Sequence, residues 1–411
     1  MNNNLVNGFS SMAKPTGSRC NLDCSYCYYL EKEKLYPGKT AFNMDQETLE
    51  TFTRKYIHEH PGREVHFVWQ GGEPTLAGIE FYRKALDLQR KYGSGKIVSN
   101  SFQTNGILLN DNWCSFFRDN NFLIGISIDG PQDLHDRYRL TKGGQGSFQK
   151  VMKAIELLKK HRVEFNTLTV VNNITVGKPL EIYRFLKSIG SHYMQFIPLV
   201  ERQRVNCKTD ELSLISPDYE GKWILSPWSV PSLAFGKFLS AIFDEWVKSD
   251  VGRYFIPTFD SCLANEAGIP AGLCVFNQRC GNALAIEHNG DVFSCDHFVY
   301  PQYKLGNIRA STFKKMLLSQ QNEKFGNEKF DNLPSCCTKC DVYVYCRGEC
   351  PKHRFNRTTS GETGLNYLCE GYKLFFRHIK PAMKFMVNEL QHRRSPANIM
   401  YTNFPVNKTR Y

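Results

Sequence analysis

The sequence predicts an α/β fold of repeated βα units followed by a cysteine-rich, loop-dominated domain, and three observations predict it. Short β-rich runs alternate with amphipathic helices up to about residue 205, the pattern that builds a parallel sheet. Short polar turns follow successive strands. The fifteen cysteines are unevenly placed: Cys20, Cys24, Cys27, Cys114 and Cys207 fall in the first 261 residues, whereas ten lie between Cys262 and Cys369. That break marks a second domain.

The predicted strands cover residues 65–70, 97–104, 122–128, 165–171 and 193–199. Between them, Asp45 caps a helix with Leu49, Phe52 and Tyr56 on one face, and a second helix covers 79–92. Ser147 caps a third, carrying Val151, Ile155 and Leu158. The turns Gly71-Gly72-Glu73-Pro74, Gln103-Thr104-Asn105-Gly106 and Asp129-Gly130-Pro131 sit at strand ends. Chemistry collects at the carboxyl ends of strands in parallel α/β sheets and barrels, so these loops can line one mouth. The alternation fits a barrel and an open doubly wound sheet alike. Residues 206–235, rich in Pro, Trp and Ser, read as a connector, and a helix over 234–248 leads to the cysteine-rich part, held by its metals rather than by a large core. After Cys369 a helix of about twenty residues, bearing Phe375, Phe376, Ile379, Met383 and Phe385, leads into a polar basic tail.

A composition of 41% hydrophobic and 22% charged residues excludes a disordered chain and a collagen-like fibre. No apolar run approaches the roughly 18 to 20 residues of a bilayer span, and residues 1–14 lack a basic start followed by an apolar stretch. A cytoplasmic protein with no membrane partner is expected. There disulfides are rare, so so many thiols point to metal binding or chemistry. The net charge of +12 comes from Lys and Arg scattered among 40 acidic residues, a diffuse basic surface with no clustered stripe for nucleic acid.

Cys20-Asn21-Leu22-Asp23-Cys24-Ser25-Tyr26-Cys27 places three thiols in eight residues, with no other cysteine for the next 86. A structural zinc site wants four closed ligands, and clusters used only for electron transfer usually have four cysteines. Three leave one metal corner vacant for a substrate or cofactor. In this CxxxCxxC loop the chain resembles the radical S-adenosylmethionine (SAM) superfamily, in which such a loop holds a 4Fe-4S cluster with one open iron. Gly71-Gly72-Glu73-Pro74 is similar to that superfamily's GGEP turn, whose backbone approaches the methionine amino group of SAM. The resemblance implies a partial (β/α)6-type barrel and SAM contacts from Gly72, Ser127, Arg139 and the backbone of Tyr26 and Val200. Ser127 suits a ribose hydroxyl and Arg139 the SAM carboxylate.

The second array, Cys274-x5-Cys280-x9-Gly290-x4-Cys295, then Cys337-x2-Cys340-x5-Cys346-x3-Cys350, then Cys369, supplies eight thiols for two four-cysteine sites. Zinc ribbons also use CxxC knuckles. After a radical SAM core the array resembles the SPASM domain, which carries two auxiliary 4Fe-4S clusters. By that resemblance Cys274, Cys280, Cys295 and Cys350 hold one cluster, and Cys337, Cys340, Cys346 and Cys369 the other. Cys336, beside Cys337, permits a CxxxC register too, although CxxC fits better. The resulting division is a radical SAM core over 1–235, a connecting helix over 236–261, a SPASM domain over 262–370, and a C-terminal helix and basic tail over 371–411.

The chain is most similar to the anaerobic sulfatase-maturating enzymes, whose pattern is followed by Trp69 to Gly78, Asn100 to Gly106 and Gly290 to Asp296. That similarity implies oxidation of a cysteine or serine in a sulfatase-type polypeptide to Cα-formylglycine. A 5'-deoxyadenosyl radical takes a β-hydrogen, and a second electron leaves toward the auxiliary clusters. The family position of the base falls on Asp296, whose pKa the neighbouring cluster's negative charge is expected to raise. Gln103 and Asn105 are candidate partners for the substrate backbone. Expected partners are an unfolded or nascent sulfatase-type polypeptide and an electron donor such as flavodoxin or ferredoxin. Two rivals are another SPASM peptide-modifying enzyme making thioethers or cross-links, and, in a different class, a zinc-dependent nucleic-acid-binding protein.

Overall fold

A computed structural model describes residues 8–36, 43–205 and 215–402. Six parallel strands follow in chain order: β1 (Ser10–Lys14), β2 (Glu64–Trp69), β3 (Ile97–Thr104), β4 (Phe122–Ser127), β5 (Phe165–Val171) and β6 (Met194–Pro198). The intervening helices are α1 (Gln46–Glu59), α2 (Ile79–Tyr92), α3 (Asp111–Asp119), the one-turn α4 (Gln132–His135), α5 (Phe148–Lys160) and α6 (Pro179–Ser188). Sequential strand order without a reversal point is the winding of a barrel, not of a doubly wound sheet. The barrel is partial: beyond β1 lies β9 (Ala283–Glu287), not β6.

The helices form where apolar residues recur at helical spacing. In α1 the Asp45 side chain accepts the Thr48 N–H at 2.8 Å, and Leu49, Phe52 and Tyr56 are buried on one face. In α2 Tyr82, Ala85 and Leu88 do the same. The α5 helix corrects one expectation. Ser147 makes no side-chain cap; Asp136 Oδ1 accepts the Phe148 N–H at 2.8 Å instead. Ser147 is otherwise committed, because its hydroxyl donates to Arg139 O at 2.7 Å and meets His135 Nε2 at 2.9 Å.

Strand β1 went unpredicted, since Ser-Ser-Met-Ala-Lys has little β signature and earns its conformation from neighbours on both sides. The cysteine-rich part also holds more regular structure than expected. Its β9 pairs parallel with β1, and β10 (Asp291–Phe293) and β11 (Lys304–Asn307) continue the sheet antiparallel. Strands of three to five residues are too short for alternation to register.

The expected connector contributes one strand, β8 (Trp223–Leu225), which pairs with β7 (Arg202–Arg204) just before it; residues 206–214, Cys207 among them, lie outside the described residues, as does the tail beyond 402. Next come α7 (Ser232–Ser249), α8 (Pro257–Glu266), α9 (Phe313–Leu317), α10 (Gln320–Asp331), the one-turn α11 (Ser335–Thr338) and α12 (Tyr343–Cys346), and α13 (Cys369–Gln391). Helices α7 and α13 cross at backbone contact. A Cβ on Gly236 would fall 2.2 Å from Gly371 O, and one on Gly371 1.9 Å from Ser232 O. Among the described residues no helix is long and apolar enough to cross a membrane.

Candidate active site

The three-cysteine loop leaves β1 at the carboxyl end of the sheet and is pinned from three sides. Gly72 and Glu73 donate their N–H groups to Gly17 O (2.8 Å) and Arg19 O (2.9 Å). Asp23 and Ser25 donate to Leu140 O (2.9 Å) and Tyr138 O (3.1 Å). Asn105 Nδ2 donates to Asn21 Oδ1 at 2.7 Å. The demand for glycine in the GGEP turn is therefore already met inside the protein. A Cβ on Gly72 would lie 2.2 Å from Arg19 O and 2.4 Å from Ser18 O.

Glu73 is fully buried and ties this turn to the next. Its Oε1 accepts from Thr75 N and Thr104 Oγ1, its Oε2 from the Asn105 N–H at 2.8 Å. Asn105, expected to face a peptide, is thus drawn under the cysteine loop, with Oδ1 taken by the Ile107 N–H. Gln103 does face the barrel interior: it lies over Gly125, where a Cβ would meet its Oε1 at 2.0 Å, and Nε2 donates to Ser127 Oγ at 3.0 Å. These two predicted residues form one polar pair at the ends of β3 and β4.

Arg139 already has a carboxylate partner. Its Nε donates to Asp129 Oδ2 at 2.9 Å, and Asp129 also receives the Tyr26 hydroxyl and the Val170 N–H. The guanidinium lies 5.7 Å from the centre of the Tyr26 ring. Behind the pair, Asp129 N–H donates to His135 Nδ1 at 3.2 Å, which leaves Nε2–H to donate to Ser147. Val200 is buried just beyond β6, so Tyr26, Gly72, Arg139 and Val200, with Ser127 as the last residue of β4, all lie at the strands' carboxyl ends.

Burial pushes the Cys20 thiol up to about 12 and Cys24 higher still, with mutual repulsion among the three cysteines adding to it. Thiols so reluctant to ionise in the bare protein suit a polynuclear cation that supplies the missing positive charge. Among the described residues no three His, Cys, Asp or Glu side chains are gathered as for a single metal ion. Three thiols on one loop are the donor set of an iron-sulfur cluster with one open iron.

The other thiols fall into two groups. Cys274, Cys280, Cys295 and Cys350 act electrostatically on one another, and Lys329 and Arg354 supply positive charge beside them. Lys329 Nζ is fixed by Cys274 O (2.8 Å) and Val275 O (2.9 Å). Cys337, Cys340, Cys346 and Cys369 line one cavity together with Cys336. Cys114 and Cys262 are buried in the core.

Asp296 follows Cys295 and is held by groups the sequence did not reveal. Lys14 Nζ, from the end of β1, pairs with Oδ1, and the Tyr28 hydroxyl donates to Oδ2 at 3.0 Å. Lys14 also sits 3.6 Å above the Tyr29 ring, and Lys352 4.4 Å from the Tyr28 ring while pairing with Glu201. Burial alone would raise the Asp296 pKa; the Lys14 charge, His297 and the hydrogen bonds from Lys14 and Tyr28 outweigh it and hold the group at about 2. The expected upward shift weighed the cluster's charge alone. It omitted a lysine 282 residues away in sequence. The one available signal was a charged residue closing an otherwise uncharged run just before the cysteine loop.

A family model described as the radical SAM superfamily matches residues 15–186, and one described as an iron-sulfur cluster-binding domain, SPASM, matches 274–341. The chain is 50% identical over 389 residues to the serine-type anaerobic sulfatase-maturating enzyme of Bacteroides thetaiotaomicron, covering 95% of this chain and 94% of that protein. It is 34% identical over 392 residues to the cysteine-type anaerobic sulfatase-maturating enzyme of Clostridium novyi, covering 95% and 100%. Among solved structures, native anSMEcpe with bound AdoMet and Cp18Cys peptide superposes with a TM-score of 0.80 at 32% identity, covering 93% of this chain and 99% of that one.

Proposed function

Because the chain belongs to the anaerobic sulfatase-maturating enzymes of the radical SAM superfamily, we propose that it oxidises a cysteine or serine of a sulfatase-type polypeptide to Cα-formylglycine. The polypeptide is unfolded or nascent, the compartment is the cytoplasm, and reducing electrons come from a flavodoxin or ferredoxin. The observation that carries this reading is Asp296, held ionised by Lys14 and Tyr28 immediately after Cys295, on a sheet that also carries the three-cysteine loop.

Cys20, Cys24 and Cys27 would hold one 4Fe-4S cluster, Cys274, Cys280, Cys295 and Cys350 a second, and Cys337, Cys340, Cys346 and Cys369 a third. Gly72, Ser127, Arg139 and the backbone of Tyr26 and Val200 would hold SAM. When bound, these groups supply the hydrogen-atom abstraction at the substrate β-carbon and the sink for the second electron. The residues of the chain do the rest. Asp296 Oδ accepts the S–H or O–H proton of the substrate side chain. Loss of the β-hydrogen makes that proton far more acidic, so a carboxylate of low pKa serves, and its low pKa keeps it in the accepting form at neutral pH. Lys14 fixes the carboxylate by charge and Tyr28 orients it. Gln103, braced by Ser127, presents an amide to the substrate backbone within the barrel. Hydrolysis completes the conversion where a thioaldehyde forms.

The test is anaerobic incubation with SAM, a reductant and matched serine and cysteine sulfatase-motif peptides, following 5'-deoxyadenosine and peptide mass. The expected result is loss of two hydrogens from the serine peptide, or that loss with sulfur replaced by oxygen in the cysteine peptide. A cross-linked product of unchanged heteroatom content would reject this reading.

A further inference from the structure

Five thiols, not four, face the cavity at the start of α11. Cys336 lines it together with Cys337, Cys340, Cys346 and Cys369. Neighbours on a helical turn normally point about 100° apart. Here Cys336 and Cys337 nevertheless line the same space, close enough for the charge of one to act on the other. Cys336 is also within electrostatic reach of Cys369, on the far wall.

The backbone that carries the two thiols is fixed. Ser335 N–H and Oγ both donate to the Glu362 carboxylate at 2.7 Å, Cys337 N–H donates to Pro334 O at 2.8 Å, and Cys340 N–H to Cys337 O at 3.1 Å. The two thiols therefore hang from one fixed stretch of backbone. Cys336 is exposed and Cys337 half-buried, so either thiol leaving the metal has room and solvent to take up a proton.

We propose that Cys336 is an alternative ligand of the second auxiliary cluster, interchangeable with Cys337. The inference rests on the assignment of that cluster to this cavity. Exchange is redox-neutral: the Cys336 thiol loses its proton as its sulfur binds iron, and the Cys337 thiolate takes one as its iron–sulfur bond breaks. Such a site keeps its cluster when one of the two thiols is oxidised or alkylated.

The test uses the full chain purified without oxygen, comparing C336S, C337S, the double variant C336S/C337S and C340S. Iron and acid-labile sulfide per chain are measured with the Mössbauer spectrum. Each single variant at 336 or 337 is expected to keep about twelve irons, and the double variant about eight. C337S falling to eight irons while C336S keeps twelve would overturn interchangeability. C340S that keeps all its iron would remove the cluster assignment itself, and the proposal with it. Wild-type holoprotein treated with iodoacetamide gives a reading without any variant. Label divided between Cys336 and Cys337 and totalling about one equivalent is expected from one free thiol per pair. Label confined to Cys336 would contradict the proposal.

Discussion

Lys14 and Asp296 meet across 282 residues of chain, and that pair decides how the proposed proton acceptor behaves. Asp296→Asn is expected to keep the iron content and SAM cleavage while lowering formylglycine formation by about 10²-fold or more, read by peptide mass. Lys14→Met removes the charge that opposes burial. The carboxyl pKa then rises from about 2, and an acid limb, out of sight in the wild type, enters the pH profile of product formation, with rate falling as pH falls. His135 gives a second pH effect, through stability. Burial first, then the charge of Arg139, lowers its pKa to about 3 from 6.5. Between those values the unfolded chain binds a proton that the native one does not, so stability decreases as pH falls below 6.5. Urea titrations of His135→Gln should show a pH slope shallower by up to about 1.4 kcal/mol per unit. At this scale the motifs were legible but not their partners. Asp296 stands in a quotable run, whereas Lys14 and the Asp129 carboxylate facing Arg139 come to their places only through tertiary structure.

Helices with full apolar periods declared themselves: 79–92 and the Asp45 cap came straight from the pattern, because Tyr82, Ala85 and Leu88 repeat at the spacing that buries one face. The elements that escaped are those stabilised by pairing. β1 is flanked by β2 and β9, and β10 spans three residues. The α5 cap shows a different limit. Ser147 satisfies the positional rule, yet His135 and Arg139 O engage its hydroxyl and Asp136 does the capping. The turn holding the cysteine loop offers the sharpest perturbation at this scale. In Gly72→Ala the new Cβ meets two carbonyl oxygens, Arg19 O at 2.2 Å and Ser18 O at 2.4 Å, and neither belongs to a flexible side chain. The loop must shift. Iron content is expected to fall by about one third, from the first cluster alone, with both auxiliary clusters retained.

Across the whole molecule, one sheet runs from β11 through β1 to β6, so the cysteine-rich part and the barrel share a backbone ladder rather than a loose interface. The α7–α13 crossing at Gly236 and Gly371 ties the helix that follows the barrel to the helix that follows the cysteine-rich part. This continuity places Asp296, which follows β10, against Lys14 at the end of β1. Cysteine spacing announced two metal-rich regions but not that they are built on a common sheet, since the strands that join them are short and far apart in sequence.

In the proposed function, Cys20, Cys24 and Cys27 carry a cluster with one iron open to SAM. Electron paramagnetic resonance of the reduced, oxygen-protected protein, with and without SAM, tests it most directly, alongside a Cys20/Cys24/Cys27→Ala variant that keeps only the auxiliary sites. SAM is expected to change the wild-type spectrum and to leave that of the variant untouched. A wild-type spectrum indifferent to SAM, or identical to that of the variant, would show that these three cysteines hold no such cluster.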